Sequence, residues 1–359
     1  MLSYITRRLL LMIPTLIGIT MVVFFIMALS PGSVTTMMRS AEGNMRPEER
    51  QRVEEYLRKR YGLGDPLIVQ YGRWANHISP IGVKEAGVGF PSAWRVGFKT
   101  PDLGESLIRK RQVLDIVLER LPVTLLLNLL TIPIIYVVAV TSGIYAAKHR
   151  GKFLDVGTGV SFIALYSMPT IWIGVMLLGF FASRDYWQWF PTGGLHEITS
   201  ASMPFLPGAY NGAWNRGWLL DTVWHLTLPV ICLTYGGFAF LSKLMRASVL
   251  ENLYADFART ARAKGLSENV VLFRHVLANS VLPLITVAAS ILPGLLGGSL
   301  IVESIFSIEG MGKLMLEAIK MKDQELVLSE TCVVAVVGLL SLIVTDVCYA
   351  IADPRVSYE

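Results

Sequence analysis

A dense group of cations and small residues lies in the segment FARTARAKGLSENVVLFRHVL, residues 257–277, between two long apolar runs. Cations seek acidic or polar groups, and small residues allow another surface to come close. Gly265 is predicted to end one helix, and Ser267 to cap the next with Val270 at its third position. The segment therefore offers electrostatic docking, either to a partner protein or to anionic lipid headgroups. The cations are Arg259, Arg262 and Lys264, and the small residues are Ala258, Ala261 and Ala263.

Few residues of the chain have the types and spacing that catalysis requires. The chain contains no HExxH, GxSxG or phosphate-binding Walker A pattern. Its five histidines have no neighbour at a metal-ligand spacing, and its three cysteines form no CxxC pair. Ionisable residues are rare in the apolar runs, where they are usually functional: Lys243, Glu303 and Asp346 lie within them or at their ends. We therefore expect no catalytic residue, no metal site and no cofactor bound by this chain.

Apolar runs determine the architecture that must hold the basic segment. The chain of 359 residues is 53% hydrophobic and 16% charged, against about 25% charged in a typical soluble domain. Six runs are long enough to cross a bilayer as helices, so the sequence predicts an all-α membrane protein with six transmembrane helices. A cleaved signal peptide is the alternative for the first run. The runs are 9–29, 121–147, 154–182, 223–245, 280–302 and 332–352.

Lys and Arg in the short loops predict the orientation, because cytosolic loops carry an excess of them. One side holds eleven and the other five, so the first side, which includes both termini, is predicted to be cytosolic. The net charge of +5 sits in patches beside apolar runs without interleaved aromatic residues, so we expect no nucleic-acid partner. The eleven are Arg7, Arg8, Lys148, Arg150, Lys152, Arg246, Arg259, Arg262, Lys264, Arg274 and Arg355; the five are Arg184, Arg216, Lys313, Lys320 and Lys322.

The predicted division of the chain is an N-terminal transmembrane helix (1–30), an outer segment (31–119) and a five-helix core (120–359). Within the outer segment, a charged pattern predicts a helix from Pro47 to about Arg60. The glycine-containing residues 79–101 are predicted to form an ordered loop or hairpin.

The loop motif TARAKGL followed by RHVL resembles the cytosolic loop of ABC-importer permeases of the dipeptide/oligopeptide/nickel family. Arg259 and Thr260 stand where that loop usually has Glu and Ala, and His275 and Ala278 replace its Ile and Pro. The resemblance covers nearly the whole chain. The further matching motifs are YITRRLLLMIPTL, SPGS, YGLGDPLIVQY, DLGES, LPVTL, SMPTIWIG, HLTLPV, VESIFSIEGMGKL and the final DPR.

This resemblance implies a type I ABC-importer permease fold in the inner membrane, with residues 31–119 in the periplasm and a cytosolic coupling loop at 246–278. The implied partners are a second homologous permease, two cytosolic ATPases that bind ATP and Mg, a periplasmic solute-binding protein and the lipid bilayer. The cargo is expected to be a peptide or peptide-like solute. A nickel chelate or another small solute is the alternative, and an intramembrane enzyme or passive channel is a more distant one.

Two groups of site residues follow from the resemblance. The first would contact the ATPases, and the second would contact the binding protein or close the outer gate, with a simple packing turn as the alternative. The first group is Arg259, Thr260, Ala261, Arg262, Ala263, Lys264, Gly265 and His275; the second is Glu303, Phe306, Gly310 and Gly312.

Overall fold

A computed structural model describes residues 2–29, 47–62, 64–84, 95–210, 213–291 and 297–352. The motifs SPGS and the final DPR lie outside the described residues, as do the middle of 79–101 and part of the fifth predicted span. The helices are α1 (Leu2–Leu29), α2 (Pro47–Tyr61), α3 (Leu67–Ile78), α4 (Val113–Lys148), α5 (Phe153–Ser167), α6 (Thr170–Leu177), α7 (Gly217–Leu253), α8 (Asp256–Ala263), α9 (Glu268–Val270), α10 (Leu277–Ser280), α11 (Leu282–Ile291), α12 (Leu300–Ile305), α13 (Met311–Met321) and α14 (Gln324–Ala352).

Irregular helical turns and short hairpins complete the described secondary structure. π-helical turns follow α6 at Leu178–Ala182 and α9 at Val271–Val276, and a 3₁₀ turn lies at Ile198–Ser202. Each of three antiparallel pairs joins consecutive strands. The first pair confirms that strands border the glycine-rich stretch, with Ile81 opposite Phe98. The pairs are β1 (Ile81–Lys84) with β2 (Arg95–Phe98), β3 (Glu105–Ser106) with β4 (Arg111–Gln112), and β5 (Gly208–Tyr210) with β6 (Ala213–Asn215).

Within the described residues, five helices are long and apolar enough to cross a membrane, and a bent pair makes a sixth candidate. The bent pair is α5 with the helical stretch Thr170–Ala182, and its axes differ by 96°. The third predicted span, 154–182, thus corresponds to this bent pair, and the sequence did not predict the bend. The fifth candidate runs over Glu268–Ala288, so it begins well before residue 280, where the sequence placed its start. The reason is that the helix continues through Arg274 and His275 in a π-helical turn instead of leaving them in a loop.

The chain divides into two compact units, the first comprising Met1–Glu119 and Leu314–Leu339, the second Arg120–Lys313 and Leu340–Glu359. These units group residues that contact one another, whereas the three segments predicted from the sequence follow the positions of the membrane spans. In the first unit, an aromatic cluster joins α1 to α3: the ring of Phe24 lies 5.6 Å from that of Tyr71 and 5.8 Å from that of Trp74. The Tyr71 hydroxyl also lies 3.0 Å from Thr20 Oγ1. Burial of this apolar face is what attaches α3 to α1.

A buried cation joins α2 to α14 in the same unit. Arg60, at the end of α2, is 4% exposed and places its Nε 2.6 Å from Glu325 Oε1 of α14. Its Nη1 also donates to Asp102 at 2.8 Å. Burial opposes ionisation of Asp102, but the Gly104 amide and Arg60 together hold the pKa of that carboxyl below its usual value. Charges removed from water in this way are tolerated because each has an opposite partner.

The start of α14 is fixed by Asp323. Its carboxylate accepts from the Ser106 hydroxyl and from the Leu326 amide, the latter at 3.3 Å, which is the bonding pattern of a helix N-cap. Burial raises the pKa of Asp323 above its usual value, although Ser106 and Leu326 oppose the shift.

The second unit contains two apolar clusters. One joins α4 and α7 to α8 and the helices after it, with Met245, Val249 and Val276 fully buried. The other joins α4, α6 and α7 to α12, with Val302 and Phe306 at its centre. The first cluster supports the coupling loop, and the second supports the turn that contains Glu303.

Candidate functional site

The coupling loop, residues 246–278, is attached to the second unit through the buried face of α8. Ala258 is 0% exposed and Ala261 5% exposed, and both pack in the cluster with Met245 and Val249. The sequence interpretation that these two alanines let a partner approach is therefore wrong: they let α8 approach its own core. Of the three small residues, only Ala263 is exposed.

The end of α8 requires glycine at position 265. Gly265 has φ +79°, a left-handed conformation that only glycine adopts without strain. Its amide donates to Arg262 O at 2.9 Å, and the Leu266 amide donates to Ala261 O at 3.3 Å. This pair of bonds is the Schellman motif, which satisfies the last carbonyls of a helix. The predicted helix break at Gly265 is confirmed. Ser267 occupies the next N-cap as predicted, but its side chain makes no capping bond.

Arg262 braces the loop internally. Its Nε and Nη2 donate to the two oxygens of Glu268 at 2.8 and 3.3 Å, and its Nη1 donates to Leu253 O at 3.0 Å. One guanidinium therefore ties α8 to the end of α7 and to the start of α9. The rigid fork of arginine suits this bidentate arrangement. The sequence placed Arg262 among the partner contacts and gave no sign of the brace.

The remaining predicted contact residues form an exposed surface beside this brace. Arg259 is 70% exposed and has only a loose ion pair with Asp256, at 3.6 Å. The Thr260 hydroxyl donates to Asp256 O at 2.9 Å. His275 lies apart from them, partly buried on the π-helical turn. The exposed members of the predicted group are Arg259, Thr260, Ala263, Lys264 and Gly265.

Further polar pairs, missed from the sequence, hold the elements that support the loop. Asp155, 5% exposed at the start of α5, accepts two bonds from Arg246 of α7, the shorter at 2.5 Å. Ser280 Oγ donates to Ser248 O at 3.3 Å, which joins α10 to α7. The sequence signal that could have revealed the first pair is Asp155 itself, an acidic residue at the edge of an apolar run, where a charge needs a partner.

Glu303 occupies a second, fully buried site. It is 0% exposed, and its carboxylate accepts from the amides of Ser299 and Lys313 at 3.1 and 2.8 Å. The Thr124 hydroxyl of α4 lies 3.3 Å from the same carboxylate and accepts from the Met311 amide at 2.8 Å. These bonds close residues 299–313 into a turn around one carboxylate.

Glycines make room for the Glu303 carboxylate. A Cβ at Gly310 would lie 2.6 Å from its carboxyl carbon and 2.7 Å from Thr124 Oγ1. A Cβ at Gly312 would lie 2.5 Å from the Leu300 amide nitrogen. Both contacts are too short for any side chain, so close backbone approach explains the two glycines.

All four residues of the second predicted group are buried. Phe306 is 1% exposed in the apolar cluster, and its carbonyl accepts from the Gly194 amide at 2.9 Å. The exposed side chains of the turn are instead Leu300, Ile301, Ser307 and Glu309. The arrangement is that of a packed turn, the alternative that the sequence left open. A role in closing the outer gate stays a prediction.

In the part of the chain that the structure describes, no group of three His, Cys, Asp or Glu residues is placed to hold a metal ion. The expectation that ATP and Mg are bound by partner subunits and not by this chain stays a prediction.

Comparisons with known proteins cover the whole chain. A family described as "Binding-protein-dependent transport system inner membrane component" matches residues 139–358, and the N-terminal component of the same system matches residues 1–128. An oligopeptide transport system permease protein, AppB of Bacillus subtilis (strain 168), is 35% identical over the full length of both chains. A di/tripeptide transport system permease protein, DppB of Pseudomonas aeruginosa, is 32% identical over both full lengths. An inner membrane ABC transporter permease protein, YejB of Escherichia coli O157:H7, is 32% identical over 99% of each chain.

Proposed function

Because this chain belongs to the family of binding-protein-dependent transport system inner membrane components, and is thus a multi-pass permease subunit of an ABC importer, we propose that its cargo is a peptide or peptide-like solute. The names of two relatives support a peptide cargo, since they are permeases of oligopeptide and di/tripeptide transport systems. The chain would form half of the translocation path, and a second, homologous permease would form the other half. A periplasmic solute-binding protein would deliver the cargo.

The observation that carries the energy-coupling part of the proposal is the exposed cationic surface of α8. Arg259, Lys264 and the Gly265 turn face outward from a helix whose other face is buried in the core. Two ATPase subunits, which bind ATP and Mg, would dock there. Their closure would bias the permease only if they bind one orientation of α8 better than the other. A buried helix face transmits such a displacement because packed cores resist compression.

The proposed topology follows from the same surface. If α8 meets cytosolic ATPases, both termini lie in the cytosol and the segment 31–119 lies outside the inner membrane. A cysteine at His149 should then react with an impermeant thiol reagent only after the cells are opened. Reaction of His149→Cys in intact cells, with His196→Cys reacting only after the cells are opened, would invert the topology.

The proposal is tested with the purified permease pair, its ATPases and its binding protein in proteoliposomes. Arg259→Glu and Gly265→Trp should leave membrane abundance unchanged but reduce both ATPase co-purification and ATP-dependent peptide uptake. Lys152→Glu, an exposed basic residue outside the coupling loop, is the matched control. Retention of the ATPases at control level by both variants would return α8 to the alternative of a lipid-surface helix. Uptake that needs no ATP would favour a passive channel.

A further inference from the structure

The break between α5 and α6 is an irregular stretch of backbone within an otherwise apolar span. Residues Ser167 to Thr170 turn the chain by 96° at Met168 and Pro169. The Tyr235 hydroxyl of α7 donates to Met168 O at 2.7 Å, and Cys232 Sγ lies 3.7 Å from Thr170 O. The break is therefore fixed beside α7 by specific bonds.

Its depth can be read from α7. Tyr235 lies close to the centre of the apolar run 223–245, so the break lies near the middle of the bilayer. Contacts on either side agree with this depth. The Asp155–Arg246 pair joins α5 and α7 near their inner ends, and Ala182 packs with Leu226 towards the outer end of α7.

Several backbone groups at the break have no partner among the described residues. Within that part of the chain, no acceptor receives the amides of Thr170, Ile171 and Trp172, and the Ser167 carbonyl accepts no bond. Ser167 and Pro169 are exposed, so these groups are not covered by the chain itself. Lipid-exposed backbone of this kind is not found in hydrocarbon, because unsatisfied polar groups are costly there.

Open space lies beside α7 at the position after Tyr235. A Cβ added to Gly236, the residue after Tyr235, would meet no atom within 4 Å. On the other side of the same helix, a Cβ at Gly237 would lie 2.8 Å from the Ile135 side chain. The two adjacent glycines therefore differ: Gly237 allows helix packing, whereas Gly236 borders unoccupied space.

We propose that the break at Ser167–Thr170 and the adjacent Gly236 line the water-filled passage through which the hydrated solute crosses the middle of the membrane. Water satisfies the free amides and carbonyl without a dedicated partner, which neither lipid chains nor an apolar helix face can do. Tyr235 is the positioning residue that holds the break open by its bond to Met168 O. The inference rests on the proposed function in that the chain carries a solute across a membrane.

Cysteine accessibility in the assembled complex tests the placement without relying on transport. Ser167→Cys and Gly236→Cys should react with an impermeant thiol reagent at least about tenfold faster than Val22→Cys, because the reaction needs a hydrated thiolate. Val22 is the control, since it is 59% exposed on α1, an unbroken helix that can face lipid. The native Cys232 and Cys332 are buried. The wild-type protein measures the background labelling of all three native cysteines, Cys348 included.

Three outcomes are distinguishable. Fast labelling in the assembled complex supports the inference. Labelling no faster than that of Val22→Cys overturns it. Labelling that appears only when the second permease is omitted also overturns it, and assigns the break to the permease–permease interface.

A second measurement covers variants that fold poorly. Gly236→Trp should abolish uptake at normal abundance, whereas Gly236→Ala retains it, because the space beside Gly236 is open. Normal uptake by Gly236→Trp would overturn the inference. Loss of uptake in Gly236→Ala would contradict the open space at this position. Fast labelling combined with no peptide uptake by the wild-type complex would instead count against the proposed function.

Discussion

Reversing the Arg262–Glu268 pair tests whether Arg262 is an internal brace or a partner contact. The pair is bidentate but largely exposed, Glu268 being 69% exposed, so its ionic part is worth about 0.2–1 kcal/mol. The bond from Arg262 to Leu253 O adds about 1 kcal/mol. Arg262→Glu loses both terms and places two carboxylates together. Glu268→Arg loses only the first and places two cations together.

The double variant, Arg262→Glu with Glu268→Arg, restores the ion pair but not the bond to Leu253. If Arg262 acts as a brace, the loss of ATPase-binding free energy in the double variant should be smaller than the summed losses of the two single variants. The difference should be about 0.5–1 kcal/mol, a factor of about 2–5 in the dissociation constant. The assay is the apparent affinity of the ATPases for the purified permease, measured for all four members of the cycle. The matched control pairs Arg259→Glu with Glu268→Arg, and these two changes should simply add.

Strict additivity in the first cycle would refute the brace. Arg262 would then act through the ATPases, as its place in the sequence first indicated. Restored affinity in the double variant would show instead that the orientation of α8, and not the charge at position 262, is what the partner requires.

Two further predictions concern buried carboxyl groups. Glu303→Gln turns one acceptor oxygen into a donor facing backbone amides such as that of Lys313, so it should cost about 1–3 kcal/mol and lower the melting temperature. Glu309→Gln is the control: its half-exposed side chain pairs with Arg120 and Lys313, and surface pairs of this kind are worth no more than about 1 kcal/mol. Unchanged melting with lost uptake would contradict the packing role of Glu303. Asp323→Ala should cost about 1 kcal/mol because the Leu326 amide loses its cap, whereas Asn keeps the cap. Burial raises the pKa of Asp323, so the stabilising contribution of this group is present at acid pH and is lost as pH rises through that pKa. The melting temperature of Asp323→Asn relative to wild type should therefore rise between pH 4 and pH 7. A difference that stays constant with pH would contradict this.

The spans could be predicted because hydropathy is a local property. α1 and α7 contain the runs that their composition indicated, and the glycine at the end of α8 has the positive φ that a helix break requires. The charged helix α2 follows Pro47 as predicted, since proline suits the first turn of a helix.

The break in the third span could not be predicted, because proline alone does not decide it. Pro133 and Pro229 also lie in apolar runs, yet both are inside continuous helices. Pro169 differs in its tertiary surroundings, where the Tyr235 hydroxyl satisfies the Met168 carbonyl that the bend sets free. That bond joins residues 67 positions apart, and nothing near Pro169 in the sequence encodes it.

The roles within the two predicted sites were also beyond sequence reasoning. The motif singled out the segments that contain Arg262 and Glu303 but could not show which way their side chains point. Both form bonds to their own chain, with Glu268 six positions ahead and with Thr124 179 positions back. Such pairs form only once the packed helices bring these side chains together, so the local sequence does not reveal them.

The length of α7 has a mechanical consequence. Its 37 residues form one rod about 55 Å long, well beyond the roughly 30 Å thickness of the hydrocarbon layer. Measured from Tyr235, the rod has an arm of about 21 Å to Val249 and an arm of about 26 Å to Trp218. A rigid tilt of α7 about Tyr235 would therefore move its two ends in opposite directions, the Trp218 end about a quarter further. Pro229 removes one backbone hydrogen bond in the longer arm, which weakens the helix at that point.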